Sequence, residues 1–382
     1  MPNSVTVEQH SIIPRRAALL LFGAVLVFGT FALAGPRSAA LLIVGLGFGC
    51  VLEGLRFGFT GPWRAIVTER DGRGLIAQLF AIALTAAVAF PLLASHPDEL
   101  NGAYAPIGFA MVVAAFVFGM AMQLVMGCGS GTLVNAGSGN AISFLALLGF
   151  VLGSFLGSLH LAWWTSLGSL PVYTLQGMFG NLGGLVATLL GLSGVGLIVL
   201  KRARPGMRLP ARGLFVAALL IALLASLNLV IAGQSWGVVY GLGLWGAKFV
   251  SAAGVDLAAN VFWGAPAHAE RLQQSLLTDV TSLSNIGIII GAFIIMRWRR
   301  SPGAQVGALK PLSWLAVALA GIVLGYSARI AFGCNVGAFF SGVSTGSLHG
   351  WAWFIAAFAG SILGIQLRPR LLQTLIPIGA SQ

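Results

Sequence analysis

From residue 17 to residue 367 the chain is a succession of uncharged apolar runs separated by short polar or basic breaks. A helical run of about twenty such residues matches the ~30 Å hydrocarbon core of a bilayer. The runs do not alternate apolar with polar residues, so they do not read as the strands of a membrane β-barrel. Composition agrees, since 58% of residues are hydrophobic and 8% are charged, where soluble domains average about 25% charged. The sequence therefore predicts an all-α polytopic membrane protein. The surplus of 21 Lys and Arg over 9 Asp and Glu sits mainly at span ends. It reads as loop topology rather than as a nucleic-acid surface, and no stacking aromatics accompany it.

Residues 1–15 form a polar N-terminal tail ending in Arg15, with Arg16 beside it. The run 17–34 is long enough to span and is expected to be a retained first helix, although Ala32-Leu33-Ala34 resembles a signal-peptidase site. Further runs lie at 39–55, 74–94, 106–126, 140–164, 177–200, 213–232, 235–253, 281–297, 311–332 and 349–367. Glycines and polar residues interrupt the regions 39–60 and 235–278 most. Irregular backbone at membrane depth needs a protein or water-filled lining, so about 9 to 11 spans plus short broken or re-entrant helices are expected. The organisation predicted is a first transmembrane half, 16–200, a basic cytoplasmic loop, 201–212, a second half, 213–370, and a C-terminal tail, 371–382. Lys201, Arg202, Arg204, Arg208 and Arg212 place the 201–212 loop in the cytoplasm. Arg64, Arg70 and Arg73 do the same for their loop, as do Arg297, Arg299, Arg300 and Lys310, and Arg368 with Arg370. The 95–105 loop, with His96, Asp98 and Glu99, is expected outside.

Two stretches match each other. Gly119 precedes Cys128 by nine residues, within Met126-Gly127-Cys128-Gly129-Ser130-Gly131. Gly325 precedes Cys334 by nine, within Phe332-Gly333-Cys334-Asn335-Val336-Gly337. Each is followed by a helix carrying a Gly-Ser-x-Leu-Gly-like pair, Gly153 with Gly157 and Gly360 with Gly364. By loop charge the span before Cys128 runs inward and the span before Cys334 runs outward. The copies are then two inverted pseudo-repeats, whose broken helices meet centrally, the arrangement of many transporters.

Each cysteine sits in Gly-Cys-x-x-Gly at a span end. Glycines let the chain turn and let backbone N–H groups face a cavity and attract an anion. A free thiol titrates near ~8.5, so it donates a weak hydrogen bond without bringing a charge into the membrane. The alternative is a small buried hydrophobe. Arg329, five residues before Cys334, lies inside a predicted span and needs a partner, water or a ligand. Gln123 holds the matching place before Cys128. Lys248 and Asp256, eight apart, are expected to pair on one helical face, with Asp279 a further embedded charge. Glu53 and Arg56 are expected to pair locally. Trp163, Trp164, Trp351 and Trp353 read as interfacial anchors. The three cysteines form no CxxC pair, the five histidines give no metal-ligand spacing, and no Walker or hydrolase motif is present. No cofactor, metal or enzymatic centre is expected.

The blocks around Cys128 (126–133, with Gly137 and Gly139) and Cys334 (329–342, continuing through Ser347-Leu348-His349-Gly350-Trp351) resemble the YeeE/YedE family of sulfur-transport membrane proteins. Asp279-Val280-Thr281-Ser282, Asn285-Ile286-Gly287 and Gly291-Ala292 form a third matching block. The resemblance covers most of the chain from about residue 40. It implies an hourglass of inverted halves that takes up thiosulfate or a related sulfur-containing anion, with cysteines holding the ion through S–H hydrogen bonds. Cys128 and Cys334 match two family cysteines. The third falls where this chain reads Arg56-Phe57-Gly58-Phe59, and Cys50, eight residues before Gly58, is the nearest thiol. The candidate substrate-binding set is thus Cys128, Cys334, Gly127, Gly129, Gly131, Gly333, Asn335, Gly337, Arg329 and Cys50. The function expected is a permease of the bacterial inner membrane, with a small sulfur-containing anion, the lipid bilayer and a cytoplasmic sulfur-carrier protein as partners. The rival readings are a carrier of selenium or another sulfur compound, and a membrane thiol enzyme that relays sulfur to that carrier protein.

Overall fold

A computed structural model describes residues 3–299 and 311–375. Arg300, Lys310 and the tail beyond 375 lie outside the described residues. The elements are α1 (Asn3–Gly54), α2 (Thr60–Thr68), α3 (Arg73–Ser95), α4 (Phe109–Leu124), α5 (Gly129–Gly137), α6 (Ala141–Ser166), α7 (Leu175–Arg202), α8 (Arg212–Ala232), α9 (Val239–Ala252), α10 (Pro266–Gln273), α11 (Val280–Trp298), α12 (Pro311–Ile330), a π-helical turn (Asn335–Phe340), α13 (Ser341–Ser344) and α14 (Leu348–Leu375). Among the described residues nine helical segments are long and apolar enough to cross a membrane. Two of them, Phe109–Gly137 and Pro311–Ser344, contain the cysteine turns. The runs at 17–34 and 39–55 join into α1 across a kink at Gly35, where φ is 83° and Pro36 follows.

The most extensive helix contacts run between the two halves. α4 lies along α14, α12 along α6, and α1 along α11. Glycines make the crossings close. A Cβ on Gly119 would overlap the carbonyl of Ala357, and one on Gly360 that of Phe116. In the other pair, Gly325 faces the carbonyl of Phe150 and Gly153 that of Ile322. The partner in each case lies three residues before the matching glycine. Such small-residue crossings let backbones approach and gain dispersion where no hydrophobic effect drives helices together in lipid.

The run 235–253, in a region expected to hold broken helices, forms a short helix rather than a span. α9 has 14 residues, about 21 Å at 1.5 Å per residue, too short for the ~30 Å core. Lys248 and Asp256 do not pair, because α9 ends at Ala252 and the chain turns at Gly254, with φ 92°. The Lys248 ammonium donates instead to the carbonyls of Leu272 (2.7 Å) and Gln274 (2.5 Å). Asp256 accepts the Ala258 N–H at 2.8 Å. Asp279 caps α11, accepting the Ser282 N–H at 2.7 Å, and pairs with Arg271 at 3.3 Å. Trp353 is no interfacial anchor. It is fully buried against Trp63 and Phe118, whereas Trp163 is exposed.

Candidate functional site: two cysteine turns between opposed cavities

The two turns are built alike. α4 runs out into Met126, whose φ is 59°, and α12 into Phe332, whose φ is 58°. Left-handed backbone at a non-glycine residue costs roughly 1–2 kcal/mol, so both turns hold the same uncommon geometry against it. The Gly127 N–H then bonds to the Met122 carbonyl at 3.1 Å, and the Gly333 N–H to that of Ala328 at 2.9 Å. Cys128 and Cys334 follow in extended conformation (ψ −169° and −168°). The carbonyl of each accepts an N–H four residues on, from Thr132 (2.9 Å) and Ala338 (2.8 Å).

The turns meet. A Cβ on Gly129 would stand 3.0 Å from the Cys334 sulfur, so the side-chain-free backbone after Cys128 is what the second thiol rests against. The Cys128 sulfur lies 3.4 Å from the Ser130 hydroxyl. Both thiols are free and fully buried. Asn335, beside Cys334, is also fully buried, and neither its amide oxygen nor its amide nitrogen has a partner.

A cavity opens on each side of this contact. One, of about 440 Å³, is lined by Asn101–Ala103 of the acidic-loop face, the 234–240 segment, Arg329, Phe332, Gly333 and Gly337. The other, of about 180 Å³, is lined by Glu53, Arg56–Gly61, Met126, Gly127, Ser130 and Gly131. It lies toward the basic face, where the Arg299 guanidinium donates to the Gly54 carbonyl and Arg368 reaches the Met126 sulfur. The linings correspond, with Met126, Gly127 and Gly131 in one and Phe332, Gly333 and Gly337 in the other. Each also takes a loop that leaves a helix through left-handed backbone, at Arg56 (φ 55°) and at Gly233 (φ 70°).

Aromatic rings close the space between. Phe59 lines the basic-face cavity and Trp236 the acidic-loop cavity. Their ring centroids are 6.5 Å apart, and Phe340 touches both, at 6.2 and 5.7 Å. Phe48 stacks on Trp236 at 3.8 Å.

The charges differ between the cavities. The Arg329 side chain has cation–π contacts with Tyr240 (5.5 Å) and Phe262 (5.1 Å), but its Nε and one terminal nitrogen have no acceptor. Among the described residues no carboxylate lines that cavity. The Trp236 indole N–H is likewise without an acceptor. His268 shares the cavity, its Nδ1 2.9 Å from the Tyr240 hydroxyl. Burial, then the charges of Arg329 and Arg271, hold its imidazole below the ordinary value. The basic-face cavity holds Glu53 with Arg56, 3.2 Å apart. Gln123, at the place matching Arg329, donates to the Ser361 hydroxyl at 2.7 Å.

The structure thus brings together Gly127, Cys128, Gly129, Gly131, Gly333, Cys334, Asn335, Gly337 and Arg329. It does not bring Cys50 to them. Cys50 lies on α1 with its thiol 3.7 Å from the Gly291 carbonyl, beside a groove lined by Leu19, Ile43 and Ile294. Sequence reading missed Phe59, Trp236, Tyr240 and His268. Only the uncharged Gly-Gln-Ser-Trp-Gly break at 233–237 hinted that Trp236 stands in a lining loop. Among the described residues no cluster of His, Cys, Asp or Glu could hold a metal ion.

The profile of the family described as "Sulphur transport" matches residues 55–363. The "Thiosulfate transporter TsuA" of Spirochaeta thermophila is 27% identical over 329 residues, covering 79% of this chain and 90% of that protein. The protein of the same name from Escherichia coli K12 is 27% identical over 325 residues, covering 78% and 84%. The "Probable transporter YedE" of Escherichia coli K12 is 29% identical over 132 residues, covering 33% and 30%.

Proposed function

This chain belongs to the Sulphur transport family, and on that premise we propose that it takes up thiosulfate or a closely related sulfur-containing anion across the bacterial inner membrane. One observation carries the reading. Two equivalent cysteine turns, each with its thiol buried, touch each other between cavities on opposite faces of the fold. An anion arriving in the acidic-loop cavity meets the Arg329 guanidinium, passes to the Cys334 thiol, then to the Cys128 thiol, and leaves through the basic-face cavity. Neutral S–H donors suit this task, because they bind an anion without holding it as strongly as a fixed cation would. The glycines at 127, 129, 131, 333 and 337 leave backbone N–H groups and open space along the same line. Asn335 supplies an amide with no other partner.

The aromatic wall of Phe59, Trp236 and Phe340 separates the cavities, so passage requires these rings to move, a gating step of the kind that sets many turnover rates. The matching turns, the matching cavity linings and the cross-packed helices support an inverted-repeat origin, in which the two halves exchange roles as the path opens to one face and then the other. Cys50 stands outside this path and serves α1 packing, so two thiols rather than three carry the anion.

The test is uptake of 35S-thiosulfate by cells that depend on it as their sulfur source. Cys128→Ala and Cys334→Ala should each abolish growth and uptake, with the variant proteins still in the membrane at wild-type amount. Cys50→Ala should leave both intact. Undiminished uptake by the Cys128→Ala/Cys334→Ala double variant would rule out the thiol path.

A further inference from the structure

The two cavities correspond in backbone and differ in charge, and we infer that they differ in anion affinity. The acidic-loop cavity is a capture site for an oxyanion, and the basic-face cavity is a release site kept weak by Glu53. This deepens the transport reading above and rests on it.

The capture site has two unpartnered donors that are both more than nine-tenths buried. Arg329 is 8% exposed, with Nε and one terminal nitrogen free, and Trp236 is 1% exposed, with its indole N–H free. Burying such groups unsatisfied is costly. Both residues line the cavity, and an oxyanion there supplies the negative charge that Arg329 lacks, which a neutral sulfur compound does not. The other charges near Tyr240, Arg271 and Asp279, form an ion pair. Arg271 also packs over the Tyr240 ring at 5.2 Å.

The release site carries a cation as well, but a neutralised one. Arg56 is held 3.2 Å from Glu53. The pair is uneven, with the Glu53 side chain 4% exposed and that of Arg56 66% exposed, so Glu53 is buried at the cavity while Arg56 reaches solvent. The groups around Glu53 are few. α5 presents the neutral Ser130 and Asn135. From α11, Arg299 is engaged by the Gly54 carbonyl, and from α14, Arg368 stands at the rim over Met126. The only charge on α8 is Arg212, at its first residue. Among the described residues, Glu53 is therefore the group that cancels Arg56, the cation lining this cavity. An anion that has crossed the thiols finds the lining cation already paired, and Arg368 stands unpaired only at the rim.

The test measures the half-saturating thiosulfate concentration from each face, using right-side-out and inside-out membrane vesicles. The wild type should show the lower KM from the acidic-loop side. Glu53→Gln frees Arg56 and should lower KM from the basic side roughly tenfold, the worth of one hydrogen bond to a charged group, without changing KM from the other side. Arg56→Gln leaves Glu53 alone and should shift the basic-side KM upward, the opposite sign. Arg329→Gln should raise the acidic-loop-side KM at least tenfold, with partial recovery in Arg329→Lys. An unchanged basic-side KM in both Glu53→Gln and Arg56→Gln, with flux intact, would overturn the sidedness and leave the transport reading standing. No saturable wild-type flux from either face would overturn the transport reading, and the sidedness with it.

Discussion

Alanine at Gly119 tests the helix crossing on which the first cysteine turn hangs. A Cβ there would sit 2.8 Å from the Cα of Ala357, besides overlapping its carbonyl. Carbon atoms pack best at about 3.5–4.0 Å, so α4 and α14 must part by about 1 Å. A gap of that size forfeits a quarter to a half of each contact well along the seam, and overpacking of this kind typically costs about 1–3 kcal/mol. We place Gly119→Ala near the upper end, about 3 kcal/mol, because the obstacle is backbone and cannot rotate away. Gly325→Ala meets the Cα of Phe150 at the same 2.8 Å and should cost the same within about 0.5 kcal/mol. Gly194 of α7 is the control. Nothing lies within 4 Å of a Cβ there, so Gly194→Ala should be neutral or stabilising by about 0.5–1 kcal/mol. The assay is the temperature at which detergent-purified protein loses half its monodisperse elution peak, read beside thiosulfate uptake. Wild-type stability in Gly119→Ala, or a large difference between it and Gly325→Ala, would refute the crossing geometry.

Gly58 lines the basic-face cavity, and a Cβ there meets nothing within 4 Å. Gly58→Cys should therefore fold normally and react with a membrane-impermeant maleimide in inside-out vesicles only, with thiosulfate slowing the reaction. Labelling from the opposite face would reverse the assigned orientation. His268 titrates below its ordinary value of 6.5 because burial and nearby arginines oppose its charge. Its neutral form stabilises the fold fully above that value. As pH falls below 6.5 the unfolded chain takes up the proton first, so stability declines toward the depressed native value. Thermal stability measured from pH 7.5 to 5 should fall for the wild type and fall less for His268→Gln. Equal slopes would show that His268 does not contribute.

The cysteine turns were readable in the sequence because glycine and cysteine at a span end mark a backbone event, and a backbone event is local. Their meeting point was not, since it depends on Gly129 and Cys334, residues far apart in the chain. The same holds for the aromatic wall. Trp236 is held by the Ser341 hydroxyl on its carbonyl, 105 residues away, and by Phe48 against its ring. Trp353 misled because tryptophan suits both a membrane interface and a core, and only its neighbours Trp63 and Phe118 decide. Lys248 and Asp256 misled for a different reason. A spacing of eight puts two residues on one face only while the helix lasts, and α9 ends between them. Asp279, expected only as an embedded charge, precedes a Thr-Ser segment and a long apolar run, the pattern of an N-cap, and the structure makes it one.

The cross-packing of α4 on α14 and of α6 on α12 also dictates an order of construction. During synthesis the first half enters the bilayer before α14 and α12, whose backbones face Gly119 and Gly153, have been translated. Neither half can finish without the other, so a chain cut in the 201–212 loop should yield fragments that are unstable alone and recover when expressed together. The halves are thus less like two domains than like two hands clasped, and a truncated product exposes two unfilled grooves for membrane quality control to recognise.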